Sequence, residues 1–416
     1  MRLFWALLKI EPQTSEGRRL ISFLTLSFCG GVLSGPVSSL LSVYVDSVLH
    51  QPPIFTSSLL AFQMATTGIF ALLSGAVADG LGQKRTILLG LMGIPLATSV
   101  FILHDFYVLT VVVVSLGVTN ALQAIGGQSY LLAASPKTKI GGFTALYFLG
   151  NTLGGAVGNV AAGPSAQRWG FGAVGVIGFV LAIMLVAITF RFLPDASSTP
   201  VDRRSSAGEL LRSYASLARR RDILLVGAIR LLPTSFYGTT SLLLPLLVFR
   251  LSNSIAIASI YASTSLLVSM SSQQVVGRII DRLGPLGPVR VLTAMVPVVA
   301  LGASLAAESL PALFLSGIIA TATLWCISTT IPPLVREVVD TAIQGRALGF
   351  VHLVWSTGML IGTLTGGALV PINPHLPFAV FAAINLFTFP AALALTGSMR
   401  GPQMKSARAT NGGAIR

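Results

Sequence analysis

Ionisable side chains inside apolar segments are the residues of this sequence whose chemistry is easiest to define. Arg230 lies roughly seven residues inside one apolar run, and His352 lies inside another. Charged groups are costly in a membrane and usually functional there, and a histidine can exchange a proton near neutral pH. Arg230 is expected either to line a polar cavity, favouring an anionic or polar ligand, or to extend back to the membrane surface. His352 is expected either to carry a proton or to pack within its helix.

Carboxylates and cysteines are placed differently. Asp46, Asp105 and Glu308 lie near the ends of apolar runs, and no Asp or Glu lies in the middle of one. A proton-coupled carrier generally needs a titratable group near mid-membrane, so proton coupling is not established by the sequence. Cys29 and Cys326 stand apart, and there is no phosphate-binding loop, nucleophile elbow or metal-ligand motif. We therefore expect no enzyme activity, no cofactor and no bound metal.

The composition shows which elements must position these residues. Of 416 residues, 53% are hydrophobic and only 10% are charged. Soluble proteins carry about 25% charged residues because they present a wetted surface. This chain has too few polar groups to cover a soluble globule of its size, so a soluble enzyme and a disordered chain are both excluded.

The apolar residues fall into runs long enough to cross a bilayer, which takes about 20 residues. The runs are apolar on all sides rather than alternating, which indicates helices rather than membrane strands. The sequence predicts an all-α membrane protein with twelve transmembrane spans, at 21–45, 56–78, 86–103, 107–134, 141–165, 171–193, 223–249, 256–277, 289–307, 311–335, 346–370 and 376–398.

The positive charges are distributed on one side of these spans. The chain has 27 Lys and Arg residues against 13 Asp and Glu. All but Arg168, Arg230 and Arg250 fall in the two terminal segments or in loops on one side of the predicted topology. Lys and Arg concentrate in cytoplasmic loops, so both termini are predicted to be cytoplasmic in a protein of the plasma membrane. The basicity therefore indicates orientation and not a nucleic-acid partner.

One long polar insertion divides the chain. We predict an N-terminal bundle of six helices (1–193), a cytoplasmic central loop (194–222), a C-terminal bundle of six helices (223–398) and a basic cytoplasmic tail (399–416). A stretch at 207–220 is expected either to form an amphipathic helix on anionic headgroups or to be a solvated linker.

The two halves contain an internal repeat. At an offset of 202 residues, Gly75, Asp79 and Gly82 align with Gly277, Asp281 and Gly284, each set following the second span of its half. At an offset of 204, a looser alignment matches three glycines of span 5 with three of span 11: Gly154, Gly158 and Gly163 with Gly358, Gly362 and Gly367. Such repeats are typical of transporters built from two related halves.

The loop between spans 2 and 3 resembles the signature loop of the major facilitator superfamily. It reads Gly75-x3-Asp79-x2-Gly82-x-Lys84-Arg85, and twelve spans with a long central loop extend the resemblance over the chain. Gly80 stands where the family usually has a basic residue. The second copy keeps Arg282 after Asp281 but has Pro285 and Leu286 in place of the later basic pair. The resemblance implies two pseudo-symmetric bundles of six helices.

The resemblance also implies a gate on the cytoplasmic side. The N-terminus of a helix carries a partial positive charge. Asp79 is expected either to sit against the N-terminus of span 11 near Gly345, or merely to cap span 3. By pseudo-symmetry Asp281 would face span 5 near Gly141. The predicted gating residues are Gly75, Asp79, Gly82, Lys84, Arg85, Gly277, Asp281, Arg282 and Gly284.

The family resemblance further implies a cavity lined by spans 1, 4, 7 and 10, with contributions from spans 5, 8 and 11. Polar and aromatic side chains on these spans are either cavity residues or helix-packing residues. The candidates are Asn120, Gln123, Gln128, Asn151, Asn159, Arg230, Tyr237, Gln273, Gln274, Trp325, His352 and Trp355. As a group, they suggest a neutral or amphipathic solute with hydrogen-bonding groups.

Span 5 is similar to a glycine-rich helix described for antiporters of this family, although close packing alone would explain its glycines. The sequence therefore predicts a secondary transporter of a small organic solute, working by alternating access between the two halves. Export of a drug-like or sugar-like compound is favoured over a facilitative uniporter or importer. A non-transporting membrane sensor or assembly partner is the alternative of a different class. The solute and membrane lipid are the expected partners, and the protein is expected to be a monomer.

Overall fold

A computed structural model describes residues 15–81, 83–134, 140–193, 215–339 and 344–398. These residues are almost wholly helical and contain no strand, so the predicted all-α fold is confirmed. The helices are α1 (Ser15–Ser47), α2 (Pro53–Leu81), α3 (Gln83–Leu91), α4 (Gly93–Ser99), α5 (Phe106–Ala134), α6 (Ile140–Phe192), α7 (Arg221–Ser252), α8 (Ile255–Leu283), α9 (Leu286–Leu305), α10 (Leu310–Val338), α11 (Gln344–Leu369) and α12 (Leu376–Asn385). A short 3₁₀ helix, Val100–Ile102, follows α4.

Two predicted spans are interrupted near a proline. Span 3 divides into α3 and α4, and Pro95 lies just after the break. Span 12 continues after α12 as a second helical segment, residues 388–398, and Pro390 follows that break. Proline has no N–H to donate to the carbonyl four residues earlier, so it interrupts the helical ladder at that point.

The longest helix, α6, contains two predicted spans. Its 53 residues would extend about 80 Å at 1.5 Å per residue, far more than a hydrocarbon core of about 30 Å. Gly170 has φ 81° and ψ 160° and breaks the helical path, at the gap predicted between spans 5 and 6. Eleven segments of the described residues are long and apolar enough to cross a membrane. One of them is the 44-residue segment Leu149–Phe192 that contains this break, so the count is compatible with twelve crossings.

The chain forms two compact units. Unit 1 comprises Met1–Arg204 and Ser241–Leu267, and unit 2 comprises Ser205–Thr240 and Val268–Arg416. Compactness therefore groups the second half of α7 and the first half of α8 with the N-terminal helices. The division into halves at 193 and 223, which follows the repeat, remains a prediction.

Within unit 1, α1 and α6 cross in backbone contact. A Cβ atom placed on Gly154 would overlap the carbonyl oxygen of Phe28, and one on Gly158 would overlap that of Val32. From the α1 side, a Cβ on Gly35 would lie 2.5 Å from the Cα of Gly155. Small residues at this spacing allow such an approach, so packing accounts for the glycine pattern of span 5.

Within unit 2, the aligned glycines make the same kind of contact. A Cβ on Gly358 would lie 2.9 Å from the carbonyl oxygen of Leu231, and one on Gly362 would overlap the carbonyl oxygen of Ser235. The hydroxyl of Thr239 donates to the carbonyl of Gly362 at 2.7 Å. Two of the three glycine pairs that align at an offset of 204 residues therefore bring α6 onto α1 and α11 onto α7, whereas Gly163 of the third pair meets Ser259 of α8.

The end of the predicted central loop belongs to the core of unit 2. Leu217 is 3% exposed and packs in a cluster with residues of α7, α9, α10 and α11. Arg220 Nη2 donates to the carbonyl of Val338 at the end of α10, at 3.1 Å. Leu217 is thus buried in protein and not placed on a lipid surface, while residues 194–214 lie outside the described part of the chain.

Candidate functional site

Arg230 forms the centre of a polar cluster in unit 2. Its Nη1 donates to Ser328 Oγ of α10 at 2.7 Å, and its guanidinium interacts electrostatically with His352 of α11. Its Nε is buried and has no hydrogen-bond partner. The side chain therefore contacts α10 within unit 2, and its place in a cavity stays a prediction.

The cluster lies about a third of the way along its helices. Arg230 is nine residues after the start of α7, which has 32 residues, about 14 Å along the axis. Ser328 is ten residues before the end of α10 at Val338, and α10 has 29 residues, which places Ser328 about 15 Å from that end. Both helices are longer than the roughly 20 residues that cross a hydrocarbon core of about 30 Å, so the cluster lies inside the apolar spans, nearer to their predicted cytoplasmic ends than to their middles.

Aromatic rings adjoin the cluster. Tyr237 lies two helical turns after Arg230 and meets Trp325 edge-on, with ring centroids 6.1 Å apart and planes at 89°. His352 stacks on Trp355 at 5.2 Å and 26°. Edge-on and offset stacks are the favoured arrangements of such rings. The contacts among five of the predicted cavity residues are thus pairwise: Tyr237 with Trp325, His352 with Trp355, and Arg230 with His352 through an electrostatic interaction.

The two glutamines of α8 differ. Gln273 accepts a hydrogen bond from the Thr329 hydroxyl of α10 at 3.2 Å, whereas Gln274 is exposed. Sequence reasoning missed Ser328 and Thr329. The available signal was their spacing, because positions three and four residues after Trp325 lie on the same face of a helix.

The predicted polar residues of unit 1 do not gather into a comparable cluster. Asn120 and Gln123 of α5 are half-buried, as is Asn151 of α6. Asn159 is fully buried and its Nδ2 donates to Ser39 Oγ at 3.1 Å, which links α6 to α1. Of the predicted cavity residues in this unit, only Gln128 has a side chain outside the described part.

A second polar constellation in unit 1 was also missed. Arg250, near the end of α7, forms a two-pronged ion pair with Asp46, near the end of α1, at 2.6 Å and 3.4 Å. The two residues stand 204 positions apart, the same offset as the repeated glycines. Sequence reasoning placed both near external ends but could not pair them.

The first turn of α8 is held on α6 in the same unit. Gln167 Oε1 accepts from Ser254 Oγ at 2.8 Å and from the Ala256 amide at 3.0 Å. Further along, Ser263 Oγ donates to the carbonyl of Ala156 at 3.0 Å. A Cβ on Gly163 would overlap the Ser259 hydroxyl. At the ends predicted to be external, an ion pair therefore connects α7 to α1, and hydrogen bonds connect α8 to α6.

The predicted gating residues are described unevenly. Gly75 and Asp79 lie on α2, but their side chains fall outside the described part, as does the whole of Gly82. Lys84 is half-buried and Arg85 is exposed at the start of α3. In the second copy, Asp281 and Arg282 are exposed at the end of α8. A Cβ on Gly277 would meet no atom within 4 Å.

Gly284 ends α8 by a conformation that requires glycine. Its φ is 76°, in the left-handed region that other residues rarely adopt. Its amide donates to the carbonyl of Ile280 at 2.8 Å, which satisfies one of the free carbonyls at the helix end. The repeated glycine of the loop therefore has a structural role in this copy.

The chain was compared with known proteins and structures. The family model of the Major Facilitator Superfamily matches residues 23–340. No curated protein matches the sequence at a significant level.

Several solved structures share the fold. A mutant of the nucleoside transporter NupG has a TM-score of 0.76 at 16% identity, covering 91% of this chain and 99% of its own. A POT family transporter in complex with 5-aminolevulinic acid has a TM-score of 0.80 at 12% identity, with 94% and 99% covered. The human organic anion transporter MFSD10 has a TM-score of 0.64 at 16% identity, with 91% and 100% covered. Identities this low establish the fold alone, and the family model establishes the family: this membrane protein belongs to the major facilitator superfamily of transporters.

Proposed function

We propose that the protein is a secondary transporter that moves a small organic solute across the plasma membrane by alternating access. The observation that carries the proposal is the polar and aromatic cluster around Arg230, which lies inside the apolar spans of α7 and α10. Ionisable groups inside membrane spans mark solute or ion pathways. Related folds include a nucleoside transporter and an organic anion transporter.

The alternative class of function is a non-transporting sensor or assembly partner. In such a protein, a water-soluble reagent would not reach the Arg230 cluster from both sides of the membrane. With Cys29 and Cys326 replaced by alanine, Ser328→Cys provides one thiol beside Arg230. A transporter with alternating access exposes this thiol to a membrane-impermeant reagent from either side, in right-side-out and in inverted vesicles. Reaction from one side only, or from neither, would falsify alternating access.

Packing of α6 on α1 accounts for the glycine pattern that favoured export, so export of a drug-like or sugar-like compound has lost its one specific support. Uniport or import of the solute is the second candidate for the mode of transport. His352 is the candidate carrier of a coupling proton. Because Arg230 interacts with it electrostatically, proton coupling would involve both residues.

Orientation is proposed from the charge distribution, with both termini in the cytoplasm. Single cysteines at Ser205 and Gln51 test it in intact cells. We expect an impermeant reagent to label Gln51→Cys and to leave Ser205→Cys unlabelled until the cells are opened. Labelling of Ser205→Cys from outside would reverse the orientation.

We further propose that Asp79 is part of a latch that favours the state closed to the cytoplasm. Asp79→Asn keeps the size of the side chain and removes its charge. We expect the variant to fold with an unchanged melting temperature and to transport several-fold more slowly, with Asp281→Asn, in the second copy, as the matched comparison. Unchanged transport in both variants would leave Asp79 with a capping role only.

A further inference from the structure

The Arg230 side chain is a half-buried cation whose Nε is fully buried and forms no hydrogen bond. A guanidinium carries five N–H donors. One bond, from Nη1 to Ser328 Oγ, is formed, and the buried Nε has no acceptor. Within the described part of the chain, the ion pairs are Asp46 with Arg250 and Glu308 with His375. Arg230 therefore has no carboxylate partner among the described side chains.

Two groups on neighbouring helices interact with Arg230, and neither carries a negative charge. They are the Ser328 hydroxyl on α10, through a hydrogen bond, and the His352 imidazole on α11, through a longer-range electrostatic interaction; the Tyr237–Trp325 pair lies further along. An uncompensated cation in a low-dielectric interior is strongly unfavourable. Charged groups inside membrane bundles are accordingly paired or line a pathway for a charged species.

A second arginine in unit 2 gives the contrast. Arg290, on α9, is also half-buried, but its Nε donates to Thr396 Oγ1 at 3.0 Å. It lies four residues after the start of α9, only about 6 Å along the axis, where the headgroup region is within reach of a long side chain. Arg230 lies more than twice as far along α7 and has the unpaired Nε.

We propose that Arg230 binds the carboxylate of an organic acid, and that the solute of this protein is therefore an organic anion with an apolar or aromatic body. The planar fork of a guanidinium matches a carboxylate in a two-pronged hydrogen bond. The Tyr237 and Trp325 rings, and Trp355 stacked on His352, supply apolar surface for the remainder of the molecule. This inference rests on the proposed transport function in one respect, which is that the Arg230 cluster is taken to be the site that binds the transported solute.

Binding to the purified protein tests the proposal without a transport assay. The probes are pairs that differ in charge and little in shape: benzoate with benzamide, and indole-3-acetate with its amide. Binding of every probe is followed by the rise in melting temperature, and binding of benzoate and benzamide is also followed by tryptophan fluorescence, since Trp325 and Trp355 pair with Tyr237 and His352. Chloride and sulfate are included as inorganic anions. The variants are Arg230→Gln, Arg230→Lys and, as the matched control, Arg290→Gln.

We expect at least one acid to bind wild-type protein about ten- to hundred-fold more tightly than its amide, the range given by a charged hydrogen bond. Arg230→Gln should abolish this preference, Arg230→Lys should retain part of it, and Arg290→Gln should leave it unchanged. Without ligand, Arg230→Gln should melt no lower than wild type, because it removes a half-buried cation that has no carboxylate partner among the described side chains.

The contrary results are equally definite. Equal binding of acids and amides, no binding of any acid, or a preference that survives Arg230→Gln would overturn the proposal. Chloride or sulfate binding as tightly as the acids would indicate an inorganic anion site and would also overturn it. If acids bound but no solute crossed the membrane, the anion site would stand and the transport function would be rejected. If only neutral solutes crossed, the transport function would stand and the anion site would be rejected.

Discussion

Gly158→Ala and Gly362→Ala are each expected to destabilise the protein strongly, although each adds only one methyl group. The added Cβ would overlap the carbonyl oxygen of Val32 on α1 or of Ser235 on α7. Backbone atoms of a packed helix cannot move aside without separating the helices. Overpacking of this kind costs about 1–3 kcal/mol and sometimes more, so we expect a clearly lower melting temperature for both purified variants.

Gly172→Ala and Gly302→Ala are the matched controls. A Cβ at either position would meet no atom within 4 Å, and alanine is about 0.5–1 kcal/mol more favourable than glycine within a helix. These controls should therefore melt at the wild-type temperature or above it. If Gly158→Ala and Gly362→Ala melted at the same temperature as the controls, the assignment of close crossings of α6 on α1 and of α11 on α7 would be wrong.

Gly163→Leu is expected to loosen the contact between α6 and α8 in unit 1. Even a Cβ at this position would overlap the Ser259 hydroxyl, and the leucine side chain is far larger. Ser263, one turn further along α8, is 2% exposed and donates to the carbonyl of Ala156. A thiol at Ser263 should therefore be protected while this contact is formed and should react when it opens.

The measurement is the rate at which an impermeant thiol reagent modifies Ser263→Cys from the predicted external side, with both native cysteines replaced. A penalty of about 1–3 kcal/mol shifts a two-state equilibrium roughly 5- to 150-fold, so we expect Gly163→Leu to speed the reaction at least about ten-fold. Gly172→Leu, at an open position of the same helix, should not. If the Ser263→Cys thiol reacted at the same rate with and without Gly163→Leu, the contact between α6 and α8 would not be what protects this thiol.

The helices and the glycine contacts could be predicted because they depend on local patterns. Apolar runs determine the spans, and the regular spacing of Gly154 and Gly158 indicates a close helix contact. The repeat relates these residues to Gly358 and Gly362, which make the equivalent contact in unit 2. The partner helices, α1 and α7, did not follow from spacing, because many helices of similar composition could have filled that place.

The polar site was only partly predictable. Whether Arg230 points inward or extends to the surface depends on the rotation of α7, and the low polarity of the whole chain gives no strong amphipathic pattern from which to read it. Ser328 and Thr329 were missed because hydroxyl residues in membrane helices usually bond to their own backbone. The pairing of Asp46 with Arg250 depends on where two distant helices end, which no local pattern specifies.

Solute flux in proteoliposomes tests the central claim most directly. The purified protein is reconstituted and screened with organic acids, their amides, nucleosides and sugars, with and without a pH gradient, beside empty liposomes and the destabilised Gly362→Ala variant. The account predicts saturable flux of at least one small organic solute by wild-type protein. Flux that does not depend on the pH gradient would exclude proton coupling, whereas no flux of any solute class by folded protein would contradict the account.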